Sequence, residues 1–245
     1  MATAPTHHKT PFEKWKDTID GALTSTAWDE YDCDIMRIAN EFNRHLASTQ
    51  GFKTLDWKLV KAMVWTETGG PSDPSWKSRP MQIGNPGDPG LRALFAIQGG
   101  GALIIPPTLK QSLTRASAIA TPVMNIRAGA AYLLMRFANF GYTTVIEGPV
   151  SHYVVRPGDS FDKIAKIDHS TVPTLQHLNP GIQTLHPKQV IEVQKASLVK
   201  IITGWRPITT TTIAHRYNVG DTDYAKKLEY CLSVMNQAKR DAKCN

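Results

Sequence analysis

Cysteine is scarce: this chain of 245 residues has three, Cys33, Cys231 and Cys244. Their spacing matches neither a zinc knuckle nor a CxxC pair, which excludes the usual metal-ribbon and thiol-redox motifs. An odd count argues against a complete framework of internal disulfides. Three free thiols are expected, with a single Cys33–Cys231 bridge left open. Long apolar runs are also missing. No window approaches ~20 consecutive apolar residues, so no membrane-spanning helix is expected. The opening MATAPTHHKTPFEKWKD lacks the apolar stretch of a secretory leader, so a soluble chain made in the cytoplasm is expected. Paired zinc fingers and basic zippers are absent, which leaves no motif for a nucleic-acid partner. The Gly-rich run QGGGALIIPP at 98–107 is not followed by Gly-Lys-Ser/Thr, so it is no phosphate cradle. His169, His177 and His186 lie eight and nine residues apart, a spacing that sets no metal geometry. No metal and no cofactor are expected.

What is present is a mildly basic, foldable composition. Hydrophobic residues make up 41%, charged residues 20%, and the net charge is +7. That suffices for a sizeable core plus a small module. The positive balance suits a polyanionic partner, including the acidic polymers of a bacterial wall.

Periodicity divides the chain. Residues 1–27 are polar and threonine-rich and read as a loose arm. Ile35, Ile38, Ala39, Phe42 and Leu46 repeat at helical spacing. A second helix is predicted from Asp56, an N-cap, to Thr68, where Gly69 and Gly70 stop it. Residues 71–90 and 98–107 read as loops. Thr121-Pro122 opens another helix, with Ile126, Ala130, Leu133, Leu134 and Phe137 on one side. From about residue 150 the order becomes strand, helix, helix, strand, with strands at 153–155 and 189–193. Helical character returns near Thr210, and Tyr224, Leu228, Cys231, Leu232 and Met235 form one face of a last helix. The predicted architecture is mainly α: a helical domain of residues 28–150 plus 198–245, interrupted by a small module at 151–197. Such a split domain is sound when its two pieces meet in space.

Within the module, Tyr153-Val154-Val155, Gly158-Asp159-Ser160, Ile164-Ala165, Leu178-Asn179-Pro180-Gly181 and Gln189-Val190-Ile191 together resemble a LysM domain, a βααβ unit that binds glycans containing N-acetylglucosamine. Lys188 stands where that family usually has glycine. The resemblance implies a sugar groove between two loops, formed by Gly158, Asp159, Ser160 and Phe161 on one side and by Asn179, Pro180, Gly181 and Ile182 on the other.

The helix from Asp56 holds an anomaly. Val60, Met63 and Val64 share its apolar side, and Glu67 continues that side at i+3 and i+4. Burial raises the pKa of a carboxyl group, and a carboxylic acid still protonated near neutral pH can protonate a glycosidic oxygen. The neighbours sharpen this. Glu67-Thr68-Gly69-Gly70, Pro80-Met81-Gln82-Ile83-Gly84, Asn125 with Gly129 and Tyr132-Leu133, and Tyr217-Asn218-Val219-Gly220 resemble, in order, four elements of the soluble lytic transglycosylases, which share a core with goose-type lysozyme. Arg79-Pro80 replaces that family's Gly-Leu. The LysM-like unit falls between the third and fourth elements.

That resemblance implies a lysozyme-like α+β domain that cuts peptidoglycan between N-acetylmuramic acid and N-acetylglucosamine and leaves a 1,6-anhydro end. Glu67 would be the sole acid and base. Thr68, Met81, Gln82, Ile83, Tyr217 and Asn218 would shape the substrate site, whereas Asn125 and Gly129 read as a helix–helix contact. Should Asp73 or Asp88 activate a water, the outcome is a hydrolysing muramidase or phage lysin. A non-catalytic peptidoglycan-binding protein is the other alternative. With no leader, the expectation is an antibacterial effector, carried by a contact-dependent machine such as type VI secretion to the periplasm of a target bacterium. Its expected partners are glycan strands, an immunity protein and a secretion component.

Overall fold

The structure, a computed structural model, describes residues 8–240, 242 and 244. It separates into two compact units. The first comprises Met1–Asn139 with Ile202–Asn245, and the second comprises Phe140–Ile201.

The first unit is built around helix α3 (Trp57–Thr68). Asp56 caps it by accepting the Lys58 N–H at 2.9 Å, and Gly69 ends it in the left-handed conformation at φ 70°. Every residue from Leu59 to Trp65 is buried, the mark of a helix enclosed on all sides rather than an amphipathic surface helix. Its one buried charge, Lys61, is paired with Asp29 at 2.7 Å and Asp32 at 2.6 Å. Removing one partner from such a buried cluster costs about 3–5 kcal/mol. α3 packs between α2 (Asp32–Leu46) and α11 (Tyr224–Ala238), while α7 (Pro122–Phe137) packs on α2.

Residues 1–7 of the arm lie outside the described residues. Within the remainder, Pro11–Asp20 forms α1, started by a capping box between Thr10 and Glu13, with Ile19 fully buried. The polar composition concealed a helix anchored by Ile19, by Trp15 packed against Tyr230, and by a strong cap. The stretch read as loop around 98–107 contains the short helix α5 (Gly101–Ile104), preceded by α4 (Gly90–Leu94). A Cβ at Gly101 would stand 1.9 Å from the Leu94 carbonyl oxygen, so only glycine permits this approach. α6 (Arg115–Ala120) leads into α7, and α10 (Thr210–Arg216) precedes α11. Cysteine pairing also differs. Cys33 is bonded to Cys244, and Cys231 is a buried free thiol. Helix α11 turns Cys231 into the core beside Thr66, 3.6 Å from its hydroxyl, so the Cys33–Cys231 bridge does not form.

The strands are far longer than the sequence indicated. β1 (Ala138–Val154) and β2 (Val190–Trp205) pair as a two-stranded sheet. The pairing is antiparallel: the Val155 N–H meets the Gln189 carbonyl at 2.8 Å, and the Arg206 N–H meets that of Phe137 at 2.9 Å. β-Branched stretches such as 143–146 and 199–202 favour this extension. The second unit therefore begins at Phe140 and ends at Ile201, wider than the 151–197 read from composition. At its far end α8 (Phe161–Ile167) and α9 (Val172–Leu178) close on the sheet. Val155, Ile164, Ala165, Leu175, Ile191 and Val193 make a small buried core there.

Candidate functional site

Glu67 sits in the last turn of α3, half-buried at the wall of a cleft of about 290 Å³. Burial drives its carboxyl pKa up to about 7, further helped by the negative charges of Asp221 and Asp88. Two hydrogen bonds act in the opposite sense. Tyr224, at the start of α11, donates its hydroxyl to Glu67 Oε1 at 2.6 Å, and the Asn218 side chain also bonds the carboxyl. Both favour the charged form, but desolvation outweighs them. The result is a carboxyl group poised between its two protonation states near neutrality, the range in which general acid–base catalysis is most effective.

The opposite wall is the loop Met81–Pro89, held from below by one side chain. The fully buried Asn125 of α7 accepts the Met81 N–H at 2.9 Å and donates to the carbonyls of Ile83 and Ala118, each at 2.9 Å. Gly129, one turn further along α7, lies directly beneath Met81: a Cβ there would come within 2.6 Å of the Met81 Cβ. Both residues therefore support the site loop, and Asn125 also makes the helix–helix contact expected from sequence, through the Ala118 carbonyl of Arg115–Ala120, whereas Gly129 admits Met81 rather than a second helix. Gln82 adopts φ 51°, an unusual left-handed backbone for a residue with a side chain. Asp88 fastens the far end of the loop, accepting the Gly84 N–H at 2.6 Å and the Gly90 N–H at 2.8 Å.

Met81, Gln82, Ile83, Tyr217 and Asn218 all line the cleft with Glu67. Tyr217 donates its hydroxyl to the Met81 carbonyl at 3.4 Å and packs against Tyr132. Thr68 does not join them. Its side chain is buried, donating to the Val64 carbonyl at 2.8 Å and accepting the Gly70 N–H at 3.1 Å, so it secures the helix end instead. Of the two further carboxylates considered, Asp73 is exposed and caps the Pro74–Lys77 turn, away from the cleft lining. Asp88 does line the cleft, with both oxygens engaged by loop amides.

Sequence reasoning passed over Tyr224 and Tyr132. Tyr132 lies within a recognised motif and Tyr224 just beyond another, but neither received a role; the Tyr224–Glu67 contact spans 157 positions and has no local pattern. Asp221 was also missed. It accepts the Lys227 ammonium at 2.6 Å and the Asp223 N–H at 3.0 Å, shaping the turn that carries Tyr217 and Asn218.

In the second unit, the two predicted sugar loops are well ordered by their own side chains. Asp159 accepts from the Tyr153 hydroxyl at 3.0 Å and the Arg156 N–H at 2.8 Å, and Ser160 caps α8. Gly158 takes φ 81° and Gly181 φ 88°, both turn positions suited to glycine. Phe161 and Ile182 lean on the small core. Asn179 is buried and fully occupied: it donates to the Leu175 and Glu192 carbonyls at 2.8 and 2.7 Å and accepts the Glu192 N–H at 2.9 Å. Its side chain is therefore a clamp, not a free sugar ligand. Pro180 and Gly181 are exposed at the tip of that loop. Lys188 stands at φ 69°, which explains why glycine suits this position.

Among the described residues, no group of three or more His, Cys, Asp and Glu side chains could hold a metal ion, and no helix is long and apolar enough to cross a membrane. Neither the curated proteins nor the solved structures contain a match to the chain. The LysM domain family matches residues 153–194, so the chain carries a peptidoglycan-binding unit at that position.

Proposed function

We propose that this protein is a peptidoglycan lytic transglycosylase in which a lysozyme-like helical unit carries the chemistry and the LysM domain holds the wall. The observation that carries the proposal is Glu67, a carboxyl group raised to about pH 7 at the wall of a cleft and hydrogen-bonded by Tyr224. A pure binding protein has no need to desolvate a carboxyl group in this way, since perturbed groups in clefts mark chemistry more often than adhesion.

In the proposed reaction, neutral Glu67 gives its proton to the oxygen joining C1 of N-acetylmuramic acid to C4 of N-acetylglucosamine. The C1–O bond breaks, and the 2-acetamido oxygen of the muramoyl sugar shelters the cationic C1. The Glu67 carboxylate then takes the proton from the C6 hydroxyl of the same sugar as O6 bonds to C1. The products are a 1,6-anhydro end and a free 4-hydroxyl, with no water consumed. Tyr224 and Asn218 steady the carboxylate between the two proton transfers.

The hydrolysing alternative needs a second carboxylate as base or nucleophile. Asp88 is the candidate, but its oxygens already fasten the Gly84 and Gly90 amides, which favours the one-acid route. The Cys33–Cys244 bond supports action in an oxidising compartment, as a wall substrate requires. Mass analysis of muropeptides released from purified wall tests the proposal. An anhydro product, one water lighter than a hydrolysed one, is expected, and it should vanish with Glu67→Gln. Hydrolysed ends would move the reading to a muramidase, and no release would leave a binder.

A further inference from the structure

Among the pockets of the first unit is one of about 230 Å³ lined by Gly51, Lys53, Trp205, Arg206, Pro207 and Ile208. Its framework is rigid. The Trp205 indole N–H donates to the Thr49 hydroxyl at 2.8 Å, and the ring meets Phe52 edge-on at 4.9 Å. Thr49 is itself fixed, donating to the Leu46 carbonyl at 2.6 Å. The loop ahead of α3 is pinned by Asn43, which donates to the Leu55 carbonyl at 3.0 Å and accepts the Leu55 N–H at 2.7 Å. Gly51, at φ 76°, makes the turn between these anchors.

The charges in this pocket are one-sided. Lys53 and Arg206 are exposed, no acidic side chain lines the pocket, and neither cation makes an ion pair among the described residues. Arg206 donates one N–H to the Ala138 carbonyl at 3.4 Å, and neither cation faces an acid; beside the fixed indole they suit a ring with one apolar face and a negative substituent. Size narrows the choice. Pockets for drug-sized ligands run from about 300 Å³ upward, so this one takes a single ring rather than a sugar with an attached peptide.

We propose that the Trp205 pocket binds a carboxylate-bearing amino sugar: the lactyl-substituted sugar of a glycan strand whose stem peptide has been removed. The inference rests on the peptidoglycan reading above and adds to it a preference for peptide-free strands. A polyol phosphate shares the anionic charge but has no flat apolar face for the indole.

The test follows the indole N–H signal of Trp205 by NMR in the full chain, assigned through its own backbone, with N-acetylmuramic acid as the probe. A saturable shift of that signal is expected. Replacing both cations (Lys53→Ala with Arg206→Ala) should weaken binding by roughly tenfold, the loss expected for charge-assisted hydrogen bonds, with the unfolding midpoint unchanged. An unmoved signal overturns the proposal. So does an equal response to uncharged N-acetylglucosamine, or binding of glycerol phosphate as tight as that of the probe. An unmoved signal alongside intact muropeptide release sinks this site alone. A saturable response without any release supports the site while removing the cleavage reading.

Discussion

Each unit of this protein places one buried asparagine under a loop, and under the proposed function the two loops serve different ends. Asn125 holds Met81 and Ile83 so that a cleft opens against a desolvated carboxyl group. Asn179 ties Glu192 to the end of α9 and leaves Pro180 and Gly181 exposed on the loop tip. The clamp is the same: both ends of one amide side chain satisfy backbone groups that would otherwise be buried unpaired. What differs is the group each clamp serves. Chemistry requires a titratable side chain withdrawn from water, whereas adhesion requires a stable backbone contour. A preformed loop serves both.

The largest expected effect separates the two units most cleanly. Glu67→Gln should lower glycan release by about 10²–10⁴-fold, the usual worth of a general acid, while co-sedimentation with purified wall stays at the wild-type level. Parallel loss of sedimentation would mean that the units do not act separately. Next come the clamps. Asn125→Ala leaves buried backbone groups unpaired, at about 1–3 kcal/mol each, and should cut release far more than adsorption. Asn179→Ala should do the reverse, weakening adsorption first. Release assays and sedimentation run on the same two variants check this crossing pattern; a shared effect on both readouts would break the comparison.

A subtler effect concerns Tyr224. Its hydrogen bond lowers the Glu67 pKa against the stronger pull of desolvation. Tyr224→Phe removes that support for the charged form, so the pKa should rise above about 7. In the proposed reaction Glu67 starts protonated, so activity is expected to fall as pH climbs through its pKa. The alkaline limb of the pH profile of kcat/KM should therefore move to higher pH in this variant, with a lower maximum. A limb that stays in place or moves down contradicts the assignment. The smallest effect belongs to the second unit. Lys188 bears a side chain at φ 69°, so Lys188→Gly should stabilise that unit by about 0.5–1 kcal/mol. Slower amide exchange across 153–194, with no change in glycan release, is the expected signature.

What could be read in advance was what repeats locally. Asp56, the apolar side through Val60, Met63 and Val64, and Gly69 define α3 within one short stretch of chain, and that pattern singled out Glu67. The contiguous 153–194 run was legible for the same reason. Features that depend on distant partners were not. Tyr224 reaches Glu67 only because α11 packs on α3. Cys244 meets Cys33 across 211 positions. α1 has only one fully buried residue, Ile19; Phe12 and Trp15 share its side at helical spacing, and the polar, threonine-rich residues around them mask that pattern in the composition. Thr68 and Asn179 show a further limit. Both lie in motifs that suggest ligand contact, yet their polar atoms are used inside the fold. Sequence reveals that a polar group is present, not which partner already occupies it.

The proposed chemistry requires one group to be protonated near neutrality, and the direct measurement is an NMR titration of the Glu67 side-chain carboxyl carbon, assigned by its absence in Glu67→Gln. A midpoint of about 7 is predicted. A midpoint near the ordinary 4.5 of a glutamate would mean the group is charged at neutral pH and cannot supply the first proton.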